Sequence, residues 1–245
     1  MYNGSVKLSA VIPFHNEEAC AENVILETAE VLKGLNQSFE ILAVNDGSSD
    51  RTRDILSALC PSIPELRVFS ARKKGGQSSA VYFGLQKAKG EILLTMDGDG
   101  QNDPHDFPAM ITLLNDADMV VGVRRKRKDR WIKRISSKIA NSFRRLVLRD
   151  PFHDVGCAMR VMSNRVSRNL PYFTSLHRFA PILACRMGFT VKEIPVNHRA
   201  RLGGKTKYGT WDRLIVGLSD LYGVRWLTRR IQAYEIREHI DEENA

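Results

Sequence analysis

Residues 96–104, Met96-Asp97-Gly98-Asp99-Gly100-Gln101-Asn102-Asp103-Pro104, decide how this chain is read. They follow an apolar run, Ile92-Leu93-Leu94-Thr95-Met96, with Gly90 before it, which has the length and composition of a short buried strand. Two carboxylates two residues apart point the same way if the extended geometry persists, and Gln101 adds a neutral oxygen in the same register. Oxygen ligands clustered at a strand end suit a hard divalent cation, Mg2+ or Mn2+, with phosphate oxygens completing the shell. Asp-Gly and Asn-Asp-Pro are also turn formers, so a solvated strand-to-loop turn is the competing reading. A calcium-binding helix-loop-helix is excluded, because Asn102 and Pro108 stand where that loop requires Gly and a bidentate Glu.

Working outward, the same strand-then-loop pattern recurs. Leu8–Pro13 reads as a strand, followed by the loop Phe14-His15-Asn16-Glu17-Glu18 and a helix from about Glu17 to Lys33, with Gly34 as its stop. Phe39–Val44 is a second strand, closing on Asn45-Asp46-Gly47-Ser48-Ser49-Asp50. A third, Leu66–Ser70, precedes the basic, glycine-rich stretch Arg72–Gln77 and a helix from Ser78 to Lys89. Later come a strand Met119–Val123, a helix opening at His177 and running through Met187, and a strand Thr190–Val196. Strands alternating with helices predict an α/β fold with a mainly parallel, Rossmann-like sheet and helices on both faces. Ligands of such sheets sit at the carboxyl ends of the strands. Asn16, Glu17, Asp46, Gln77, Asp97 and Asp99 all fall at such ends. The chain has neither a phosphate-cradling Gly-x-x-x-x-Gly-Lys loop, since Arg199 stands where the first glycine of Gly204-Lys205-Thr206 is needed, nor a dinucleotide fingerprint.

Composition narrows the partners. The 245 residues are 43% hydrophobic and 27% charged, as expected of one globular core or one core with an appendage. A formal charge of +9 implies an anionic partner such as a nucleotide, phospholipid or lipid phosphate. Cys20, Cys60, Cys157 and Cys185 are scattered, with no C-x-x-C pair, so neither zinc nor a disulfide framework is expected and a reducing cytoplasm is the default. The longest uncharged stretch is the 12 residues Gly75 to Gln86, too short for a membrane span.

Val11-Ile12-Pro13-Phe14-His15-Asn16-Glu17, Val44-Asn45-Asp46-Gly47-Ser48-Ser49-Asp50 and Met96-Asp97-Gly98-Asp99-Gly100-Gln101 resemble three signatures of family 2 glycosyltransferases with the GT-A fold. Asp154–Arg160, Val196–Arg201 and Gly204–Gly209 fit the branch of dolichol-phosphate mannosyltransferases and bacterial polyprenyl-phosphate glycosyltransferases. The resemblance covers roughly residues 6 to 230 in the expected order. It implies a nucleotide-sugar donor (GDP-mannose or a UDP-sugar) and metal-dependent, inverting transfer to a polyprenyl or dolichyl phosphate at the cytoplasmic membrane face. Implied donor contacts are Pro13, Asn16, Glu17, Asp46, Gln77 and Asp97, with Arg201, Lys205 and Lys207 holding the diphosphate from a late loop. Asp97, Asp99 and Gln101 are the implied ligands of Mg2+ or Mn2+ and, with Arg124, the implied catalytic groups. Mannosyltransferase-type members often carry Ala, Leu and Pro where Gly98, Gly100 and Asp103 stand here.

Residues 124–149 hold twelve Arg or Lys and a single acid, Asp129, around an apolar face marked by Trp131, Ile132, Ile135, Ile139, Phe143, Leu146 and Val147. This one-sided charge suits a helix lying on an anionic bilayer, against the alternative of a core-packed helix. The resemblance places the acceptor phosphate against Arg124, Ser137 and Lys133 or Arg134. His177 reads either as a further phosphate contact or as a helix-start surface residue. Trp211–Ile240 alternates apolar groups with arginines, as an interfacial anchor or a docking helix for a membrane-protein partner would, against the alternative of a helix packed on the core. The expected organisation is therefore a glycosyltransferase domain over 1–210, with a donor half (1–123) and an acceptor half (124–210), and a helical segment over 211–245. Nucleic acid is not an expected partner: the aromatics do not form stacking platforms and the acidic cluster repels a phosphate backbone.

Overall fold

The computed structural model describes residues 6–124, 142–200 and 210–231. Its strands are β1 (Leu8–Phe14), β2 (Phe39–Asn45), β3 (Leu66–Ser70), β4 (Ile92–Thr95), β5 (Met119–Arg124), β6 (Arg160–Ser163) and β7 (Val191–Val196). They form one sheet in the order β3-β2-β1-β4-β6-β5-β7. Every neighbouring pair is parallel except the two made by β6, which runs antiparallel to β4 and β5. Flanking helices are α1 (Ala21–Gly34), α2 (Thr52–Leu59), α3 (Gln77–Lys87), α4 (Phe107–Leu113), α5 (142–148), α6 (Asn164–Asn169), α7 (Leu176–Arg186) and α8 (Thr210–Thr228).

The two-residue alternation of the strands sorts side chains into two cores. On β1, Leu8, Ala10, Ile12 and Phe14 join Val24, Ile25 and Leu32 of α1 and Leu56 of α2. Val11 points the other way, to Leu42 of β2, Leu93 of β4, and Val81 and Leu85 of α3. The second core continues through Phe179, Ile182 and Leu183 of α7 to Leu221 and Val224 of α8. Each fully buried aliphatic side chain contributes about 1.5–3 kcal/mol, so both layers are strongly bound to the sheet. The expected mainly parallel sheet, covered on both faces, is what forms.

Pro13 lies in a central strand, where proline is normally excluded. Its carbonyl accepts from Gly98 N–H at 3.2 Å, so its missing N–H faces the β4 side, beyond the last ladder pair Val11–Thr95.

Two helix limits differ from the sequence reading by more than one residue. The first helix begins at Ala21 rather than Glu17, because Asn16 adopts a left-handed φ of 57°. The Glu17 and Glu18 amides turn instead to Thr52 Oγ1 (2.9 Å) and Asp50 Oδ2 (3.2 Å). The third helix ends at Lys87 rather than Lys89. The Lys89 amide is drawn to the buried Glu40 carboxylate at 2.6 Å, and the Gly90 amide to Ser9 Oγ at 2.8 Å. Of the basic stretch 124–149, the described part is Arg124 and residues 142–149, and of the final apolar-basic stretch it is α8 through Ile231. None of the four cysteines is in a disulfide. Among the described residues no helix is long and apolar enough to cross a membrane.

α3 packs unusually close to the sheet at Gly84. A Cβ built there would lie 2.3 Å from Val11 Cγ1 and 3.2 Å from Val44 Cγ2, both on stiff, β-branched side chains. Gly84→Ala is expected to destabilise the protein by about 1–3 kcal/mol despite alanine's better helix propensity. A urea titration of the variant against wild type checks it; equal midpoints would show that α3 can lift off the sheet freely.

Candidate active site

The carboxyl ends of β1, β2 and β4 open on one edge of the sheet, and side chains from several loops meet there. Past β4 the backbone continues alongside β1 to Gly98. Asp97 and Asp99 are half-buried. Asp97 Oδ1 accepts from Gln77 Nε2 at 2.5 Å, and its amide donates to the buried Asn102 Oδ1 at 2.9 Å. Asp99 Oδ1 accepts from the Gln101 amide at 3.1 Å, which shapes the turn. Burial is the main cause pushing the Asp97 carboxyl up to about 7, and the Asp99 charge adds to it. Arg160, the Gln77 hydrogen bond and Arg124 act in the opposite sense.

Gly98 and Gly100 have steric reasons in this chain. A Cβ at Gly98 would lie 2.4 Å from the Phe14 ring and 2.7 Å from Pro13 O, and Gly100 has φ of 74°. The Phe14 ring thus fills the space that an alanine methyl would need.

Asp46 is buried, and both its oxygens are engaged. Oδ1 accepts from the Gly75 amide at 2.6 Å and Oδ2 from the Gly76 amide at 2.8 Å. It therefore ties the basic loop 72–76 to the end of β2, and its backbone carbonyl accepts from His15 Nδ1–H at 2.8 Å. Asn16 crosses to the same loop system, its Oδ1 accepting from the Ser49 amide at 2.8 Å.

The segment after β7 closes the far side. Arg199 N–H donates to Gln101 O at 2.8 Å, Asn102 bridges to His198, and the Asn197 amide donates to Asp106 Oδ2 at 2.7 Å. His198 Nε2 lies 3.4 Å from the Gln101 side-chain nitrogen. Sequence reading singled out neither His198 nor its contact with Gln101; the signal was its place inside the Val196–Arg201 motif. Glu27, Asp103 and His105 also offer three ligand atoms within 4.8 Å of one another. There Arg199 reaches Glu27 at 2.7 and 2.8 Å and Asp103 at 2.7 Å, so a guanidinium already balances both carboxylates. The hard-oxygen set Asp97, Asp99 and Gln101, with its crowded negative charge, is the better fit to Mg2+ or Mn2+.

Arg124 ends β5 on the same edge, because β4 and β5 each run antiparallel to β6 and so parallel to one another. Its Nε and Nη2 donate to Asp154 at 2.7 and 2.8 Å. Burial is the largest single influence and opposes its charge, but the Asp154 hydrogen bonds and the charges of Asp154 and Asp97 together outweigh it and raise its pKa. Two of its five N–H groups are used on Asp154. Arg160 on β6 is a further buried cation, donating to Val155 O and His177 O. The structure thus groups Pro13, Asn16, Glu17, Asp46, Gln77, Asp97, Asp99, Gln101 and Arg124 along one edge. Arg201, Lys205, Lys207, Lys133, Arg134 and Ser137 lie outside the described residues.

The family model for glycosyl transferase family 2 matches residues 9–170. The chain belongs to this family. An undecaprenyl-phosphate 4-deoxy-4-formamido-L-arabinose transferase of Edwardsiella ictaluri is 32% identical over 205 residues, covering 82% of this chain and 63% of that protein. A dodecaprenyl-phosphate galacturonate synthase of Rhizobium johnstonii is 31% identical over 233 residues, covering 92% and 68%. The chain therefore spans about two thirds of the length of these curated relatives. Among solved structures, the glucosyl-3-phosphoglycerate synthase of Mycobacterium tuberculosis, crystallised with Mn2+, UDP and phosphoglyceric acid, superposes with a TM-score of 0.67 at 18% identity. That match covers 93% of this chain and 80% of the other and shows the shared GT-A fold.

His177 is not a surface cap. The Ser78 hydroxyl donates its one proton to Thr174 O at 2.5 Å, so the imidazole Nδ1–H, 2.6 Å from Ser78 Oγ, is the donor in that contact. Burial chiefly, then Arg178 and Arg160, lower its pKa to about 3. A lowered imidazole pKa gives stability that is present above the ordinary value near 6.5 and is lost as pH falls from there toward 3. Asp97 acts oppositely across much of that window, so a variant comparison is needed to isolate the imidazole. The wild type's stability advantage over His177→Gln is expected to shrink by about 2 kcal/mol between pH 7.5 and pH 5. Denaturant titrations at the two pH values measure this, and an unchanged difference would mean that His177 protonates freely in the fold.

Proposed function

We propose that this family 2 chain transfers one sugar from a nucleoside-diphosphate sugar to a polyprenyl phosphate, with inversion, at the cytoplasmic face of a membrane. The observation that carries the reading is the meeting of opposite charges on one sheet edge: Asp97 and Asp99 past β4, and Arg124, held by Asp154, at the end of β5. Names of the relatives support the acceptor class, since those two proteins act on undecaprenyl and dodecaprenyl phosphates. The M. tuberculosis synthase supports the donor class and the metal, having been solved with UDP-glucose and Mn2+.

In this reading residues 1–123 form the donor half and 124–210 the acceptor half. The loop at Pro13–Glu17, Asp46 and Gln77 shape the nucleoside pocket, with Asp46 acting by fixing the Gly75-Gly76 backbone. Asp97, Asp99 and Gln101 hold a divalent cation, which when bound offsets the charge of the leaving diphosphate. His198 stands beside Gln101 as a further donor to that site. Arg201, Lys205 and Lys207 follow Arg199, which is anchored to Glu27 and Asp103, and bring positive charge over the donor. One oxygen of the lipid phosphate attacks the anomeric carbon, and the bond from that carbon to the diphosphate oxygen breaks with its electrons going to the diphosphate. A phosphate monoester is already anionic near neutral pH, so placement matters more than a strong base. Arg124, with Ser137 and Lys133 or Arg134, supplies that placement. The basic stretch 124–149 faces the anionic membrane surface, and the chain's end serves as the contact for any membrane-protein partner.

The test is incorporation of labelled sugar into organic-extractable lipid, using Mn2+ or Mg2+, UDP- and GDP-sugars and a short-chain polyprenyl phosphate. Asp99→Ala is expected to lower turnover at least about a hundredfold. Arg124→Lys keeps the charge but not the fork to Asp154, and is expected to raise KM for the lipid phosphate while leaving nucleotide affinity unchanged. Label that never enters lipid, while a nucleotide still stabilises the protein thermally, would refute the acceptor and leave the donor site standing.

A further inference from the structure

A second cationic site lies away from the sheet edge, where α5, α7 and α8 end together. A cleft of about 230 Å³ is lined there by Val147, Leu148, Arg149, Arg186, Arg225, Thr228 and Arg229. Two of its arginines have structural work. Arg186 donates to Leu148 O at 2.8 Å and Arg225 to Val147 O, so they satisfy the last carbonyls of α5. Arg149 and Arg229 have no such role: both are exposed, and among the described residues neither side chain makes a hydrogen bond or ion pair. None of the four pairs with a carboxylate among the described residues.

Two further observations point to a ligand. Arg149 has φ of 51°, a left-handed backbone that a long side chain adopts only at some cost. In place of the usual glycine or asparagine after a helix, the chain puts a guanidinium at the cleft. The helices that end there also carry large apolar side chains in solvent: Phe143 at 48% and Leu146 at 76% exposure on α5, and Tyr222 at 73% and Trp226 at 51% on α8. Phe143 and Leu146 are three apart and Tyr222 and Trp226 four apart, so each pair shares a helix face. Arg230 lies 4.2 Å over the Trp226 ring. Arginines set beside exposed aromatic and aliphatic groups match the boundary between headgroups and acyl chains, where a small soluble anion would need no such apolar surround.

We infer that this four-arginine cleft binds the headgroup phosphate of an anionic phospholipid and seats the ends of α5 and α8 on the bilayer. Its occupant is a bulk membrane lipid, distinct from the acceptor at Arg124. The inference holds whichever sugar or prenol is used.

The test is sedimentation of the full chain with vesicles of phosphatidylcholine alone or containing phosphatidylglycerol. Arg149→Gln/Arg229→Gln is expected to weaken binding to the anionic vesicles about tenfold with an unchanged Tm, since neither side chain supports the fold. Arg149→Lys/Arg229→Lys should largely retain binding. Lys33→Gln/Arg53→Gln, an equal loss of charge on exposed positions of α1 and α2, should leave it near wild type. Equal weakening by both glutamine pairs would overturn the inference in favour of net charge. So would wild-type binding that ignores phosphatidylglycerol, or a cleft that takes inorganic phosphate while the glutamine pair leaves vesicle binding unchanged. Turnover on a detergent-solubilised short-chain acceptor is expected to be unaffected by the glutamine pair, which separates this site from the catalytic reading.

Discussion

A carboxylate at Asp97 is held where both burial and the neighbouring Asp99 oppose its charge, and much of the molecule is arranged around that cost. Gln77 from the start of α3 donates to it, Asn102 holds its backbone, and Arg124 and Arg160 lend it positive potential from the other half of the sheet. Without these groups the pair would either protonate or turn outward into water. With them it stays at the mouth of the sheet as an acidic pair whose remaining charge cost a divalent cation would relieve. The mixed topology serves this arrangement. The reversed strand β6 brings Arg160 opposite Thr95, two residues before Asp97, and lets β5 present Arg124 on the same edge.

The loops around that mouth are joined by specific bonds, each of which fixes a second segment. Asp46 takes two backbone amides of the 72–76 loop, and that loop leads directly into Gln77, which bonds Asp97. Arg199 bonds Glu27 on α1 and Asp103 beyond the Asp97–Gln101 turn, while its amide holds Gln101. The amide bonds to the buried Asp46 carboxylate contribute about 1.5–3 kcal/mol each, whereas the Arg199 pairs, on a partly exposed guanidinium, contribute at most about 1 kcal/mol. The mouth around β1, β2 and β4 is therefore held chiefly by backbone amides, whose positions change little. Around β5 and β6 the cations are the long side chains of Arg124 and Arg160, each held by hydrogen bonds.

How much of this was legible in the sequence depended on the kind of signal. Leu8–Pro13, Phe39–Val44 and Ile92–Met96 are apolar runs that fix parallel strands almost to the residue, and the acids following them fixed the sheet edge. β6 was not legible: four residues headed by Arg160 look like a motif, and a buried guanidinium contradicts the expected strand composition. Its partners, the carbonyls of Val155 and His177, are set by tertiary folding alone. For the same reason His177 looked like a cap, although Ser78, ninety-nine residues earlier, holds its ring. Asp46 was expected to face the nucleotide, and it stands directly after the end of β2. What no local pattern announces is that its oxygens already hold the amides of Gly75 and Gly76.

The separation of charge explains how a chain of net +9 can build its reactive centre from acids. Salt screens interactions beyond about 8–10 Å at physiological ionic strength, so remote arginines cannot neutralise Asp97 and Asp99; only neighbours such as Arg124 and Arg160 do so. The remaining positive charge is then available to other surfaces. On 142–149 and α8 it accompanies exposed Leu146, Tyr222 and Trp226, groups that a protein working only in water would have reason to cover. Placing the cations with those apolar groups, and the acids at the strand ends, divides the molecule by solvent. One surface is suited to the boundary of a bilayer, and one edge to a polyanionic donor that approaches from water.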